Sequence, residues 1–246
     1  MMMATTLDLH LPSHVEQSVF DDGRSMASAV ADSVAAMLRL GLWQRGDASL
    51  LVSGGRSPVP FLRALSQRRL DWSRVSVSLV DERWVPADHA DSNTRLVREN
   101  LLQGAAAGAN FVPLYGGEPG PEEGLAACEL RLRSLRRPFD AVVLGMGEDG
   151  HFASLFPGGD ELATLLAPGA PTVAATHPAS AAHARITLTL AALQNARNLV
   201  LQITGERKRA VLERAALHNT DERALPIAAL LRQTAAPLRV FFSPTE

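Results

Sequence analysis

Short strand-like runs recur along the chain: SLLVSG at 49–54, RVSVSLVD at 74–81, DAVVLGMG at 140–147, TVAAT at 172–176, ITLTL at 186–190, NLVLQIT at 198–204 and LRVFF at 238–242. Several are too apolar to alternate, the pattern of strands buried on both faces of a parallel sheet. ITLTL does alternate, with Ile186, Leu188 and Leu190 on one face. Between the runs the period changes to that of helices. Residues 25–40 set Met26, Ala29, Val30, Val34, Met37 and Leu38 at helical spacing. A second helix is entered at Ser57-Pro58, where serine can cap and proline is tolerated in the first turn. Three more are predicted over 94–103, 122–136 and 206–217. Strand and helix alternating without repeat or linker predicts an α/β fold, a doubly wound and mostly parallel sheet in one domain over residues 1–246. In such sheets ligands sit beyond the carboxyl ends of the strands, so the loops there should hold the chemistry.

Composition narrows the partners. The chain has 246 residues, 46% hydrophobic and 20% charged, with a net charge of −2. That balance gives no general attraction to nucleic acid or an anionic membrane, so an anionic ligand must be held by a local cluster. The lone Cys128 excludes an intrachain disulfide and a cysteine-rich zinc site. It shares an apolar helical face with Leu125, Leu132 and Leu135, which predicts a packed, inert thiol. The opening MMMATTLDLHLPSHVEQ lacks the basic start and apolar core of a signal peptide. No uninterrupted apolar stretch approaches the roughly 20 residues of a membrane helix. A cytoplasmic protein, monomeric by default, is expected.

Gly145-x-Gly147-x-x-Gly150 matches the dinucleotide-binding GxGxxG, but its surroundings do not. That site needs an amphipathic helix after the glycines and an acid ending the next strand. Here HFASLFPGG follows, TVAAT ends in His177-Pro178, and Glu148 and Asp149 occupy the turn where a pyrophosphate would lie. The glycines can instead let the backbone bend sharply and present Asp149 and His151. An imidazole can take a proton from water at neutral pH, and a carboxylate two residues away can orient it. Asp149 capping a turn while His151 packs would give the same residues.

Two more strand ends carry polar residues. Gly54, Gly55, Arg56 and Ser57 lead from the first strand into a helix, so backbone N–H groups and a helix N-terminus could cradle a phosphate; a plain tight turn reads the same way. Asp81, Glu82 and Arg83 end the second, with Asn93 beyond them: an ion-pair network or a sugar site, with Asn93 a ligand or a helix cap. Arg185 precedes ITLTL. Lys208 falls in the first turn of its helix, an unfavourable place for a cation unless an anion lies close. Arg131, Arg133, Arg136 and Arg137, near a helix end, read as solvated surface charges.

GGRSP, DERWVPADHADSN, GMGEDGHFASLFPG and RITLTLAALQNARNLVLQITGERKRAVL, in this order, resemble the 6-phosphogluconolactonases over nearly the whole chain. Two positions depart from the family pattern: Arg56-Ser57 stands for the usual ST pair, and Phe152 replaces a small polar residue. The resemblance implies a modified Rossmann-like sheet shared with glucosamine-6-phosphate deaminases and ribose-5-phosphate isomerases. It implies hydrolysis of 6-phospho-D-glucono-1,5-lactone, a sugar-phosphate lactone as partner, and neither cofactor nor metal. On this reading His151 is the general base, Asp149 orients it and Arg83 stabilises the oxyanion. Gly54, Gly55, Arg56, Ser57, Asp81, Glu82, Asn93, Arg185 and Lys208 hold the substrate. A deaminase on the same fold is the nearest rival. A non-catalytic sugar-phosphate sensor would need a DNA-binding module, for which the residues before the first sheet strand have no recognition helix.

Overall fold

A seven-stranded parallel sheet forms the centre of the computed structural model, which describes residues 8–217 and 225–245; Met1 to Leu7, the start of the segment read above for a leader, lie outside them. In chain order the elements are β1 (Glu16–Val19), α1 (Gly23–Arg45), β2 (Ala48–Val52), α2 (Val59–Ser66), β3 (Val75–Leu79), β4 (Asp81–Arg83), α3 (Asn93–Asn100), β5 (Asn110–Phe111), α4 (Pro121–Leu132) and β6 (Ala141–Leu144). Then follow α5 (Leu162–Leu165), β7 (Val173–Thr176), β8 (Arg185–Leu188), α6 (Leu190–Gln194), β9 (Leu199–Thr204), α7 (Glu206–Ala216), α8 (Pro226–Arg232) and β10 (Leu238–Ser243).

The main sheet runs β1-β10-β9-β6-β2-β3-β5. β2 and β6, fully buried and side by side at its middle, are apolar on both faces because helices cover both. Burying each of Leu50 and Leu51 contributes about 1.5–3 kcal/mol. From β2 the chain winds outward through β3 and β5; from β6 it winds the other way through β9 and β10. The loops leaving β2 and β6 therefore diverge at their carboxyl ends and open the crevice in which such sheets bind ligands.

α1 has 23 residues, enough to cross a bilayer, but Val30, Ala31, Val34, Ala35 and Leu38 are fully buried and it packs on α2 and the sheet as a core helix. Asp22 caps it, accepting from the Ser25 N–H at 2.8 Å, and Gly46 ends it in the left-handed conformation.

The structure departs from the sequence reading in several places. The 74–81 run breaks at Val80, and Asp81–Arg83 leaves the main sheet to pair antiparallel with β8, which pairs antiparallel with β7. TVAAT and ITLTL thus form a separate small sheet, because β4 turns out of the parallel layer and offers them a free edge. α2 begins at Val59 with Pro58 at its N-cap and no side-chain cap, so Ser57 is not its cap. Arg131 is not a solvated charge: its guanidinium donates to the carbonyls of Pro113 and Leu114 and pairs with Glu118, pinning the 113–118 segment to α4.

Candidate active site

The loop after β6 folds back on itself. Gly147 donates its N–H to the His151 carbonyl, Gly150 donates to that of Gly147, and Gly150 has φ +79°. This bend brings His151 Nδ1 to 2.5 Å from Asp149 Oδ1, so the ring donates its Nδ1 proton to the carboxylate and leaves Nε2 as the free basic nitrogen. Gly147 is required for a steric reason. A Cβ there would stand 2.3 Å from the imidazole and 2.5 Å from Asp149 Oδ1. The second glycine of the motif makes room for the histidine–carboxylate pair, and the third permits the turn. Ala153, two residues on, is held at φ +48°, an unfavourable backbone for a side-chain-bearing residue in this loop.

Sequence reasoning missed two partners in this turn. Phe156 stacks on His151 with ring centroids 4.3 Å apart and lies under the Arg185 guanidinium at 5.5 Å. Its signal was an aromatic side chain within a glycine- and proline-rich loop, where burial alone does not call for one. Ser154 donates to Asp81 Oδ2 at 2.5 Å and ties the histidine loop to the small sheet. Phe152 is fully buried in the core, so its departure from the family pattern concerns packing beneath the loop rather than the histidine's hydrogen bonds.

A cleft of about 370 Å³ joins the strand-end loops. Gly54, Gly55, Arg56 and Ser57 line it together with His151, Asp81, Arg83, Asn93, Arg185 and Lys208, and Glu148 of the histidine turn also faces it. Gly55 has φ +90°, and Gly54 lies so close under Asn93 that a Cβ there would fall 1.8 Å from Asn93 Oδ1. Asn93 is buried and its Nδ2 donates to the Asp81 carbonyl at 2.9 Å. It is the first residue of α3, not its cap; Ser92 caps, accepting from the Arg95 N–H. Arg83 donates to the Asp91 carbonyl at 2.6 Å, and Arg185, its partner across β4 and β8, sits 3.6 Å from Asp81. Burial pulls the Arg185 guanidinium below its ordinary value while Asp81 opposes the shift. Lys208 lies in the first turn of α7.

Asp149 and Glu82 are the two anticipated site residues that do not line the cleft, for different reasons. Asp149 holds the histidine from behind. Glu82 is buried: Oε1 accepts from the N–H groups of Asn93 and Arg83, and Oε2 from Thr94 N–H and the Ser92 hydroxyl. Burial pushes its carboxyl up, against the N–H groups of Asn93, Thr94 and Arg83. The reading of Glu82 as a substrate contact is corrected accordingly: it anchors the N-terminus of α3 and so positions Asn93.

Four buried polar atoms of the cleft lining lack a hydrogen-bond partner: Ser53 Oγ, Arg83 Nε, Asn93 Oδ1 and Arg185 Nε. Each such orphan costs about 1–3 kcal/mol, so their convergence suits a polar ligand. A larger void of about 520 Å³ opens behind the Arg56–Ser57 turn, between α1 and α2. It holds none of the acid–base groups that line the smaller cleft.

Residues 21–238 match the family described as glucosamine-6-phosphate isomerases/6-phosphogluconolactonase. The chain belongs to this family. Within it the chain is 47% identical to a 6-phosphogluconolactonase of Rhizobium meliloti, an alignment covering 92% of this chain and 97% of the relative. It is 46% identical to one of Pseudomonas aeruginosa over 96% and 98%. A crystal structure of a 6-phosphogluconolactonase from Shewanella baltica superposes with a TM-score of 0.90 at 40% identity, covering 96% of this chain and all of that one. A monomeric glucosamine-6-phosphate deaminase also superposes, at TM-score 0.76 but 17% identity, which shows the family's shared fold alone.

Proposed function

We propose that this cleft hydrolyses 6-phospho-D-glucono-1,5-lactone to 6-phospho-D-gluconate, the lactone-opening step of the oxidative pentose phosphate pathway, with His151 activating the water. The observation that carries the mechanism is the Nδ1 bond to Asp149, which leaves Nε2 free in a cleft that also holds Arg56, Arg83, Arg185 and Lys208. The activity follows the relatives, which are 6-phosphogluconolactonases along nearly their full length.

In the proposed step His151 Nε2 takes a proton from water as the oxygen bonds to the lactone carbonyl carbon. The carbonyl electrons move to its oxygen, and Arg83 stabilises that charge. Collapse of the tetrahedral intermediate breaks the bond to the ring oxygen. The imidazolium returns its proton to that oxygen as it leaves, and the Asp149 carboxylate stabilises the transient positive ring. Lys208 and Arg185, with the N–H groups and side chains of the Gly54–Ser57 turn, hold the phosphate. Asp81 and Asn93 receive the ring hydroxyls. An ester carbonyl is electrophilic enough for this chemistry without a nucleophilic side chain.

The test is His151→Ala, assayed on fresh lactone after subtraction of spontaneous opening. General base catalysis contributes about 10²–10⁴-fold, and turnover should fall by that factor. Near-normal turnover would remove His151 from the mechanism and leave the family's activity to another base.

A further inference from the structure

At the rim of the cleft, outside the groups used above, three metal-ligating side chains from two separate segments meet. His89 and Asp91 belong to the loop between β4 and α3, and His183 to the segment between β7 and β8. One donor atom from each lies within 4.8 Å of the others, the one such cluster among the described residues. We infer that His89, Asp91 and His183 bind a divalent transition-metal ion of the zinc, nickel or copper class and thereby tie these two segments together beside the cleft.

The spacing supports this. His183 Nε2 lies 2.9 Å and His89 Nδ1 3.9 Å from the same Asp91 Oδ2. Tetrahedral zinc with bonds of about 2.0–2.1 Å spaces its donors about 3.3 Å apart. The two distances bracket that value, and with every donor pair within 4.8 Å the three atoms lie close enough to share one ion. The imidazoles meet edge to face with centroids 5.5 Å apart, converging on the carboxylate instead of stacking side by side. Two imidazoles and one carboxylate select borderline transition metals over magnesium or calcium. The partial exposure of all three side chains leaves a coordination position for water.

The facing charges also fit. The Asp91 carboxylate accepts the His183 hydrogen bond at 2.9 Å and supplies the one oxygen donor of the set. Arg83 bonds the Asp91 carbonyl, not its carboxylate, and would keep that bond. His89 Nδ1 accepts the Asp91 N–H at 3.1 Å, a bond the metal would displace. For His183 Nε2 to coordinate, its lone pair must face the ion, which the tautomer with the proton on Nδ1 provides. The ion would fix segments that carry two cleft cations: Asp91 anchors Arg83, and His183 precedes Arg185 by two positions.

Calorimetric titration of the untagged protein with Zn²⁺, Ni²⁺ and Mg²⁺, without substrate, tests the site independently of the lactonase reading. The expected result is a single equivalent of Zn²⁺ or Ni²⁺ and no Mg²⁺. Binding should be lost in His183→Asn and in His89→Asn and retained in His151→Asn. Zinc should slow amide exchange in residues 177–184 and raise Tm in the wild type but in neither rim variant. Each rim histidine is replaced separately, so failure of one variant to fold leaves the other to decide. No zinc or nickel binding, binding that survives both rim substitutions, or binding abolished by His151→Asn would overturn the inference.

Discussion

Gly147→Ala should disable the site without removing any of its side chains. The backbone there is outside the left-handed region, so alanine is conformationally acceptable and the whole penalty falls on the neighbouring side chains. Ordinary contact between carbon atoms begins near 3.5 Å. A Cβ at 2.3 Å from His151 and 2.5 Å from Asp149 Oδ1 therefore requires the ring to retreat by about 1.2 Å and the carboxylate by about 1 Å. The 2.5 Å Nδ1–Oδ1 bond sits between them and would be lengthened or broken. A displacement of about 1 Å in a catalytic group costs on the order of 10²-fold, close to 2.7 kcal/mol in the barrier. The strain should cost about 1–3 kcal/mol of stability. Measured as kcat/KM on fresh lactone with spontaneous opening subtracted, Gly147→Ala should fall by that factor. Gly145→Ala is the control: its Cβ would meet Ser53 Oγ at 3.6 Å, an ordinary contact, and activity should persist. Near wild-type activity in Gly147→Ala, or equal damage in Gly145→Ala, would refute the steric account.

Three further outcomes follow from the same geometry. Lys208→Ala should raise KM for the phosphorylated lactone and leave turnover of unphosphorylated gluconolactone unchanged, compared by parallel kinetics; an unaltered preference would remove Lys208 from the phosphate site. Glu82→Gln retains one acceptor oxygen and orphans two donors at about 1–3 kcal/mol each, partly offset by loss of a buried charge; a net loss of about 2 kcal/mol should lower Tm by roughly 4–8 °C in calorimetry. Cys128 is fully buried and burial pushes its thiol up to about 12, so an aromatic disulfide reagent at pH 8 should label it only after denaturation.

The histidine turn, the glycine-rich strand ends and five central strands were legible because each is local: an apolar run, a turn residue, a helix period. β1, with sequence EQSV, and β5, with NF, escaped notice because edge strands so short and polar lack a periodic signal. PIAALLR, which forms α8, is too short to show its period. Asp81 and Glu82 are adjacent acids that the chain alone treats alike. The pleat of β4 and the N-terminus of α3 separate them, turning one toward the cleft and the other into four hydrogen bonds in the interior.

What the sequence determined by itself was the kind of sheet and the turns at its rim, since hydrophobic period and glycine placement act over a few residues. The tertiary structure decided which loops meet. The crevice opens where β2 and β6 adjoin while their connections wind in opposite directions, a consequence of strand order. The small antiparallel sheet brings Arg185 beside Arg83, and two rim segments distant in sequence bring His89, Asp91 and His183 together. Contacts between residues so far apart in the chain depend on the packing of every layer between them.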